Sequence, residues 1–317
     1  MSCFHPRRVI YTGRKNSETG SNETIFVNSY IDELSLEQAR KKYPDLMPNN
    51  SMKFKNGHWF LVKSDLVPCG SCDGCKVSYA KDWASRCLLE ASFHDSNYFL
   101  TITYDDEHLK LTVDEMKRDL QLFIKRLRDK LNYPIRYFGC IEFGSKTYRI
   151  HSHFIMFGLE LNDLVRWNDV LSTSKFLDDI WNKGNILVGN VTQASCSYVA
   201  RYCMKKSHSE LKECLMMSRK PGIGFRYFEE KSQEILKDKK IYFNTGKSNM
   251  IAIPRYFKRK LKEISEDEYN NLKAEKVDLI EAKQDLLKFN RHTDKLEEAL
   301  EYEETLYKRR NVHNRGL

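Results

Sequence analysis

The run His151-Ser152-His153-Phe154-Ile155-Met156-Phe157-Gly158 constrains the fold more than any other stretch. It is short, apolar after its first residues and closed by a glycine, so it reads as a buried strand. Side chains alternate between faces along a strand, so His151 and His153 emerge side by side on one face. Two neighbouring neutral imidazoles on a rigid backbone make half of a divalent-metal site. Two satisfied histidines at a strand start would look the same, so the surrounding segments must decide.

Those segments alternate strand and helix. Tyr98 to Tyr104 is rich in β-branched and aromatic residues and reads as a central strand, ended by Asp105 and Asp106. Thr112, with Glu115 three residues on, forms a capping box for a helix. That helix is apolar at Met116, Leu120, Phe123, Ile124, Leu127 and Leu131 and basic at Lys117, Arg118, Lys125, Arg126, Arg128 and Lys130. Ile135 to Phe143 reads as a strand, and a short turn through Ser145, Lys146 and Thr147 joins it to the histidine strand as an antiparallel hairpin. Such pairing puts Glu142 beside His151 and His153. A carboxylate with two imidazoles is a hard-metal set with positions left open for substrate oxygens. Residues 160 to 183 read as helical, and Ile186 to Val191 as a short strand.

Three cysteines crowd into Pro68-Cys69-Gly70-Ser71-Cys72-Asp73-Gly74-Cys75, ahead of a helix predicted over Val77 to Ala91. In a reducing compartment such clustering reads as metal or thiol chemistry rather than disulfides. A structural zinc takes four ligands. The knuckle supplies Cys69, Cys72 and Cys75, and either Cys3 or Cys87 is the fourth. Upstream, Gly13 to Thr24 reads as loop and Leu34 to Tyr43 as a short helix capped by Ser35.

In Ser195 to Lys206, a helix would align Tyr198, Tyr202 and Lys205 on one face. Amphipathic surface tyrosines would produce the same pattern. Beside a metal, however, a phenolate can attack a phosphodiester, with the lysine holding phosphate or favouring the phenolate. Pro221 to Phe228 and Ile253 to Lys260 interleave aromatics with Arg and Lys, a composition that suits unpaired nucleic acid as well as ordinary packing. The 317 residues carry Lys+Arg 53 against Asp+Glu 44, a net +9 that favours polyanionic partners. No run approaches a membrane span, and Met1 to Gly13 has no apolar signal core, so a cytosolic site of action is expected. There is no phosphate-binding Gly-x-x-x-x-Gly-Lys-Ser/Thr loop. After Leu261, Leu272, Leu279, Leu286, Thr293, Leu300 and Tyr307 recur at seven-residue steps, with Ala282, Phe289 and Leu296 three residues after their partners. This is a heptad seam that either dimerises the chain or folds back on it. The expected divisions are an extension over 1–65, a domain over 66–260 holding the motifs, and a helical tail over 261–317.

In this order the pieces resemble a known family. Phe99-Leu100-Thr101-Ile102-Thr103-Tyr104 resembles the first motif of the HUH endonucleases, His151-Ser152-His153 their metal motif with Ser152 at its hydrophobic position, and Tyr198 to Lys206 their two-tyrosine third motif. The Cys69–Cys75 knuckle, Trp83-Ala84, Leu89-Glu90-Ala91 and Ser218-Arg219-Lys220-Pro221-Gly222-Ile223-Gly224 are similar to replication initiators of gokushovirus-type microviruses, small single-stranded DNA phages. The resemblance spans roughly residues 66 to 260, plus Cys3. It implies an α+β fold, a central antiparallel sheet flanked by helices of the RRM-like kind. It implies a metal-dependent nicking and joining enzyme, with Glu142, His151 and His153 holding Mg2+ or Mn2+. Tyr198 or Tyr202 would cut single-stranded origin DNA, leaving a 5′-phosphotyrosine link and a free 3′ hydroxyl for rolling-circle synthesis. The implied partners are a host polymerase and helicase, and the implied location is the cytoplasm of a bacterial host. Two other readings stay open: a zinc-containing single-stranded nucleic-acid-binding module, and a relaxase or transposase of the same chemistry.

Overall fold

The structure, a computed structural model, describes residues 3–18, 20, 22–27, 34–35, 37, 40–41, 52–55, 57–61, 65–144, 147–202, 214–238, 242–244, 250–272, 302–305 and 307–308. The chain divides into two compact units, Met1–Ser78 with Glu281–Leu317, and Tyr79–Ile280.

The first unit is built of short strands. β1 (Arg7–Lys15) pairs with β2 (Asn22–Val27) and with β6 (Asp65–Val67), and β3 (Leu34–Ser35), β5 (His58–Leu61) and β4 (Met52–Lys55) form a second sheet. The loop expected over Gly13–Thr24 is therefore largely a hairpin. The helix expected from Leu34 begins instead as a strand, with helical backbone at Glu37, Arg40 and Lys41. These strands lack the period-2 burial signal because both sheets are small and one-sided. Of the heptad positions, Leu279, Leu286, Thr293 and Leu300, with Ala282, Phe289 and Leu296, lie outside the described residues. Within this unit the Tyr307 ring meets Phe4 at 5.6 Å.

The second unit carries a seven-stranded, fully antiparallel sheet in the order β10-β11-β12-β7-β9-β8-β13. Its strands are β7 (Asn97–Thr103), β8 (Arg136–Phe143), β9 (Ile150–Phe157), β10 (Leu164–Arg166), β11 (Leu171–Ser174), β12 (Ile186–Asn190) and β13 (Cys214–Met217). The helices are α1 (Asp73–Ala91, which starts in the first unit), α2 (Val113–Lys130), α3 (Lys175–Trp181), α4 (Gln193–Tyr202), α5 (Phe225–Lys237) and α6 (Arg255–Ile264). The expected α+β class, a central antiparallel sheet flanked by helices, is borne out. Only α3 realises the helix expected over 160–183. Leu171–Ser174 instead extends the sheet, because Asn168 turns the chain by accepting from the backbone of Val170 and Leu171, and Ser174 then caps α3.

Each sheet face has its own core. Leu100, Ile102, Ile141, Phe154 and Met156 pack under Met116, Leu120, Phe123 and Leu127 of α2 and Trp181 of α3. The periodicity of α2 is realised with its cap, as the Glu115 amide donates to Thr112 Oγ1 at 3.3 Å. On the other face Phe138, Cys140, Ile155 and Phe157 meet Trp83, Ala84 and Cys87 of α1 and Cys196, Val199 and Ala200 of α4. A third cluster joins Phe228, Ile235, Phe243, Phe257, Leu261 and Leu272. The aromatic-basic segments near 225 and 255 are thus largely packing segments. Phe228 and Phe257 are buried, and Tyr256 stacks on the buried Arg86, whose guanidinium also lies 4.0 Å from the Trp83 ring. Among the described residues no helix is long and apolar enough to cross a membrane.

The end of β7 is locked. Trp181 Nε1 donates to the Thr103 carbonyl at 2.9 Å, and the Thr103 and Asn185 backbones exchange hydrogen bonds. Gly184 permits this approach, since a Cβ there would sit 2.3 Å from the Thr103 oxygen at a φ of +144°. At the opposite end of the sheet the buried Glu90 carboxylate accepts from the Arg136 guanidinium and the Gly224 amide, which ties α1, β8 and the Ser218–Gly224 loop together.

Two predictions follow from this packing. Burial raises the Glu90 carboxyl, but His94, the Gly224 amide and Arg136 outweigh it and hold the group below its ordinary 4.5. A depressed carboxyl stabilises the fold above its unfolded value, and that contribution fades as pH falls through the folded one. Urea midpoints should therefore drop as pH is lowered through the carboxylate range. Glu90→Gln should cost about 3–5 kcal/mol near pH 7, because it strands a buried cation, and should flatten the acid dependence. An unchanged pH profile in that variant would refute the assignment. The second concerns Ser152, whose hydroxyl is fully buried with no hydrogen-bond partner. Ser152→Ala should raise stability by about 1 kcal/mol, and a loss in denaturant titration would show that the hydroxyl is bonded after all.

Candidate active site

Register builds the site. In the β8–β9 ladder Glu142 stands directly opposite His151 and Cys140 opposite His153. In the β7–β9 ladder Thr103 faces His151 and Thr101 faces His153. Residues opposed in a sheet share a face, so Glu142, both imidazoles and both threonines lie on the face that α4 covers. Ser152 opposes Ile102 and Ile141 and points into the other core.

The donor atoms converge. His151 Nε2 lies 3.0 Å and His153 Nε2 2.8 Å from Glu142 Oε1, and a ligand atom from each residue falls within 4.8 Å of the others. The other nitrogens are positioned too. His151 Nδ1 is 3.1 Å from the Arg149 carbonyl, which only accepts, so Nδ1 carries the proton and Nε2 presents its lone pair. His153 Nδ1 meets Thr101 Oγ1 at 3.1 Å, and Phe99 stacks on its ring at 5.5 Å and 13°. Glu142 and His153 are buried, while His151 keeps an opening to solvent. Burial would raise the Glu142 carboxyl, but the two imidazoles prevail and bring it down to about 2, so it stays anionic. An anionic oxygen with two neutral nitrogens suits a divalent cation.

Helix α4 brings the phenol. Thr192 caps it, accepting from the Ser195 amide at 3.1 Å, and Cys196, Val199 and Ala200 pin it to the sheet. Tyr198 then projects beside the carboxylate. Its hydroxyl donates to Glu142 Oε1 at 3.4 Å, and its ring meets His153 edge-on at 5.0 Å and 87°. Tyr202 ends the same helix one turn on; its side chain and all of Lys205 lie outside the described residues. Sequence reasoning missed Phe99, Thr101 and the Arg149 carbonyl as supports. The period-2 alternation of β7 carried the signal for the first two, but only the register names their partners.

The first unit holds a second cluster. Cys3, Cys69, Cys72 and Cys75 place their sulfurs within 4.8 Å of one another, so Cys3 is the fourth member. Cys87, the alternative, is buried in the apolar layer with Trp83 and Phe138. The Cys69–Cys75 and Cys3–Cys72 sulfurs are each 3.9 Å apart. Backbone amides point at the sulfurs: Cys69 N–H to Cys3 at 3.2 Å, Cys72 N–H to Cys69 at 3.3 Å and Phe4 N–H to Cys72 at 3.4 Å. For Cys69 burial opposes ionisation, yet the Ser71 and Cys72 amides prevail and lower its thiol to about 6. Burial raises the Cys3 and Cys75 thiols.

Comparison with known proteins matches this architecture to a family. The model of the replication-associated protein ORF2 family matches residues 97–207, from β7 to just beyond α4. The chain is 33% identical over 230 residues to the replication-associated protein ORF2 of Spiroplasma virus 4, covering 66% of this chain and 71% of that one. It is 35% identical over 216 residues to the replication-associated protein VP4 of Bdellovibrio phage phiMH2K, covering 62% and 67%. It is 31% identical over 224 residues to the replication-associated protein ORF4 of Chlamydia phage 1, covering 63% and 55%. No solved structure matches. The strand that carries both histidines and the helix that carries both tyrosines fall inside the matched region, and the chain belongs to the family of replication-associated proteins of small phages that the ORF2 model describes.

Proposed function

We propose that this protein initiates rolling-circle replication by nicking single-stranded origin DNA with a tyrosine and later rejoining the strand. The observation that carries this is the meeting of a phenol, a carboxylate and two imidazoles at Glu142 Oε1. Glu142, His151 and His153 would hold Mg2+ or Mn2+, which when bound polarises the scissile phosphate and stabilises the leaving oxygen. The protein supplies the rest. Thr101, Phe99 and the Arg149 carbonyl fix the imidazoles, so the donor set is formed before substrate arrives. The hydrogen bond to Glu142 holds the Tyr198 phenol against the site. In the transfer, the phenol oxygen bonds to phosphorus and the bond from phosphorus to the 3′ oxygen breaks. The phenolic proton is lost and the departing 3′ oxygen takes one up. Tyr202, one turn away, is suited to the second cut that regenerates and closes a circle.

The net +9 charge and the exposed Arg118, Lys125, Arg126 and Lys130 on α2 give polyanion affinity independent of that chemistry. The chain would act in the cytoplasm of a bacterial host, with a host helicase and polymerase extending the freed 3′ end. The Cys3–Cys69–Cys72–Cys75 cluster fits structural zinc. With Zn–S bonds of about 2.3 Å, sulfurs at tetrahedral corners lie about 3.8 Å apart, and the amide-to-sulfur contacts suit thiolates.

Two experiments test these readings. On labelled origin oligonucleotides with Mn2+, the protein should form a protease-sensitive covalent adduct that chelator abolishes. His153→Ala should lower cleavage about a hundredfold or more while oligonucleotide affinity moves only a few-fold, and the Tyr198→Phe, Tyr202→Phe double variant should form no adduct. Full cleavage by His153→Ala would sink the metal-dependent reading. Binding with no adduct on any oligonucleotide would point to a non-enzymatic nucleic-acid-binding module. For the cysteines, elemental analysis of purified protein should find equimolar zinc, lost in Cys72→Ser together with several degrees of melting temperature. Zinc-free protein with an unchanged melting curve would show that the thiols are free.

A further inference from the structure

The β10–β11 hairpin at the end of the sheet has no part in the chemistry above, and its apolar side chains are uncovered. Leu164 is 38%, Val165 66%, Trp167 61% and Val170 77% exposed. Edge strands are normally blunted by proline, lysine or a bulge, because a bare edge pairs with whatever strand arrives. Among the described residues β10 has one neighbour and carries none of these devices.

Its hydrogen-bonding parity is defined. Trp167 N–H bonds the Leu171 carbonyl at 3.0 Å, which makes 167/171 a hydrogen-bonded pair. Pairs alternate along an antiparallel ladder, so Val165/Thr173 is the next such pair, and Leu164 and Arg166 aim their N–H and C=O groups at the open edge. The patch is also electrically closed. Arg166 is paired with Asp169, and Lys175 lies 3.7 Å from Asp179. Nothing there seeks phosphates, and DNA has no backbone ladder to match an open edge. A second copy of the same neutral, apolar strand does.

We propose that two copies of this chain join β10 to β10 about a two-fold axis at Val165, continuing the sheet across both. In that register Leu164 of each copy bonds Arg166 of the other, and the two Val165 residues form the intervening non-hydrogen-bonded pair. The row Val165–Thr173–Leu187–Thr101–His153 runs across one face by register. A two-fold axis perpendicular to the sheet keeps that face common to both copies. Both candidate active sites then open on the same side, nine strand steps or about 43 Å apart at about 4.8 Å per step. The surface is distinct from the heptad tail and does not depend on the nicking chemistry.

The test is the mass of the full chain in solution. An interface this small pairs weakly, so light scattering should show the mass rising from 37.5 kDa toward twice that as protein reaches roughly 100 µM. Arg166→Pro removes an N–H that the native ladder does not use, so it should keep the native circular dichroism and melting curve yet weaken association at least about tenfold. Paired Val165 residues would sit within disulfide range. Val165→Cys should therefore form a reducible dimer on a non-reducing gel, while Leu164→Cys, which faces Arg166, should not exceed wild type. A wild-type chain that stays at 37.5 kDa throughout overturns the proposal, as does a dimer that survives Arg166→Pro or equal cross-linking by both cysteine variants. If the mass stays monomeric while Trp167→Ala weakens single-stranded DNA binding, the hairpin is a base-stacking surface and the dimer reading fails.

Discussion

The backbone ladder between β8 and β9 is the constraint on which the rest of this molecule depends. It sets Glu142 opposite His151 and, two residues along the same face, brings His153 to the same carboxylate oxygen. A slip of one residue would send both imidazoles into the core beneath α2 and bring Ser152 and Ile150 to the site. The register is protected from such slips by burial on both sides, since Phe154 and Met156 fill one core while Ile155 and Phe157 fill the other. The site is therefore held by the same burial that stabilises the sheet.

Placing charge in that sheet carries a desolvation cost, and the structure offsets it locally. Glu142 is buried but remains anionic because two imidazoles and a phenol meet its oxygen. Glu90 repeats the arrangement at the far end of β8 with Arg136 and the Gly224 amide, where it fixes a loop rather than a reactive site. Two buried carboxylates on one sheet thus serve different ends. What separates them is the partner: a fixed guanidinium closes the Glu90 site, whereas imidazole lone pairs leave room for a cation at Glu142. The cysteine cluster uses a third device, with backbone amides turned toward sulfur.

The strand and helix that bear the chemistry are legible from residue pattern. Alternation marks His151 and His153 as neighbours, the short turn implies Glu142 beside them, and the spacing of Tyr198 and Tyr202 implies one helical face. Less is legible in the first 65 residues, where small, one-sided sheets leave weak periodicity, and in residues 160–183. There Leu171–Ser174 reads as helix because a short apolar run does not reveal its period. The aromatic-basic segments near 225 and 255 are ambiguous for a similar reason: a ring that stacks on a base and a ring that stacks on Arg86 have the same sequence signature.

The sequence by itself determined which residues alternate, which share a helical face, that Cys69, Cys72 and Cys75 cluster, and that the chain is basic. These are properties of neighbours along the chain, and the periods of strand and helix are enough to read them. Only the tertiary structure decided which partners meet. It chose Cys3 over Cys87 as the fourth thiol, set Thr101 and the Arg149 carbonyl behind the imidazoles, brought Tyr198 from another element to Glu142, and left β10 at an open edge. Those choices join residues up to 69 positions apart, and they are set by strand order and core packing, which no local pattern encodes.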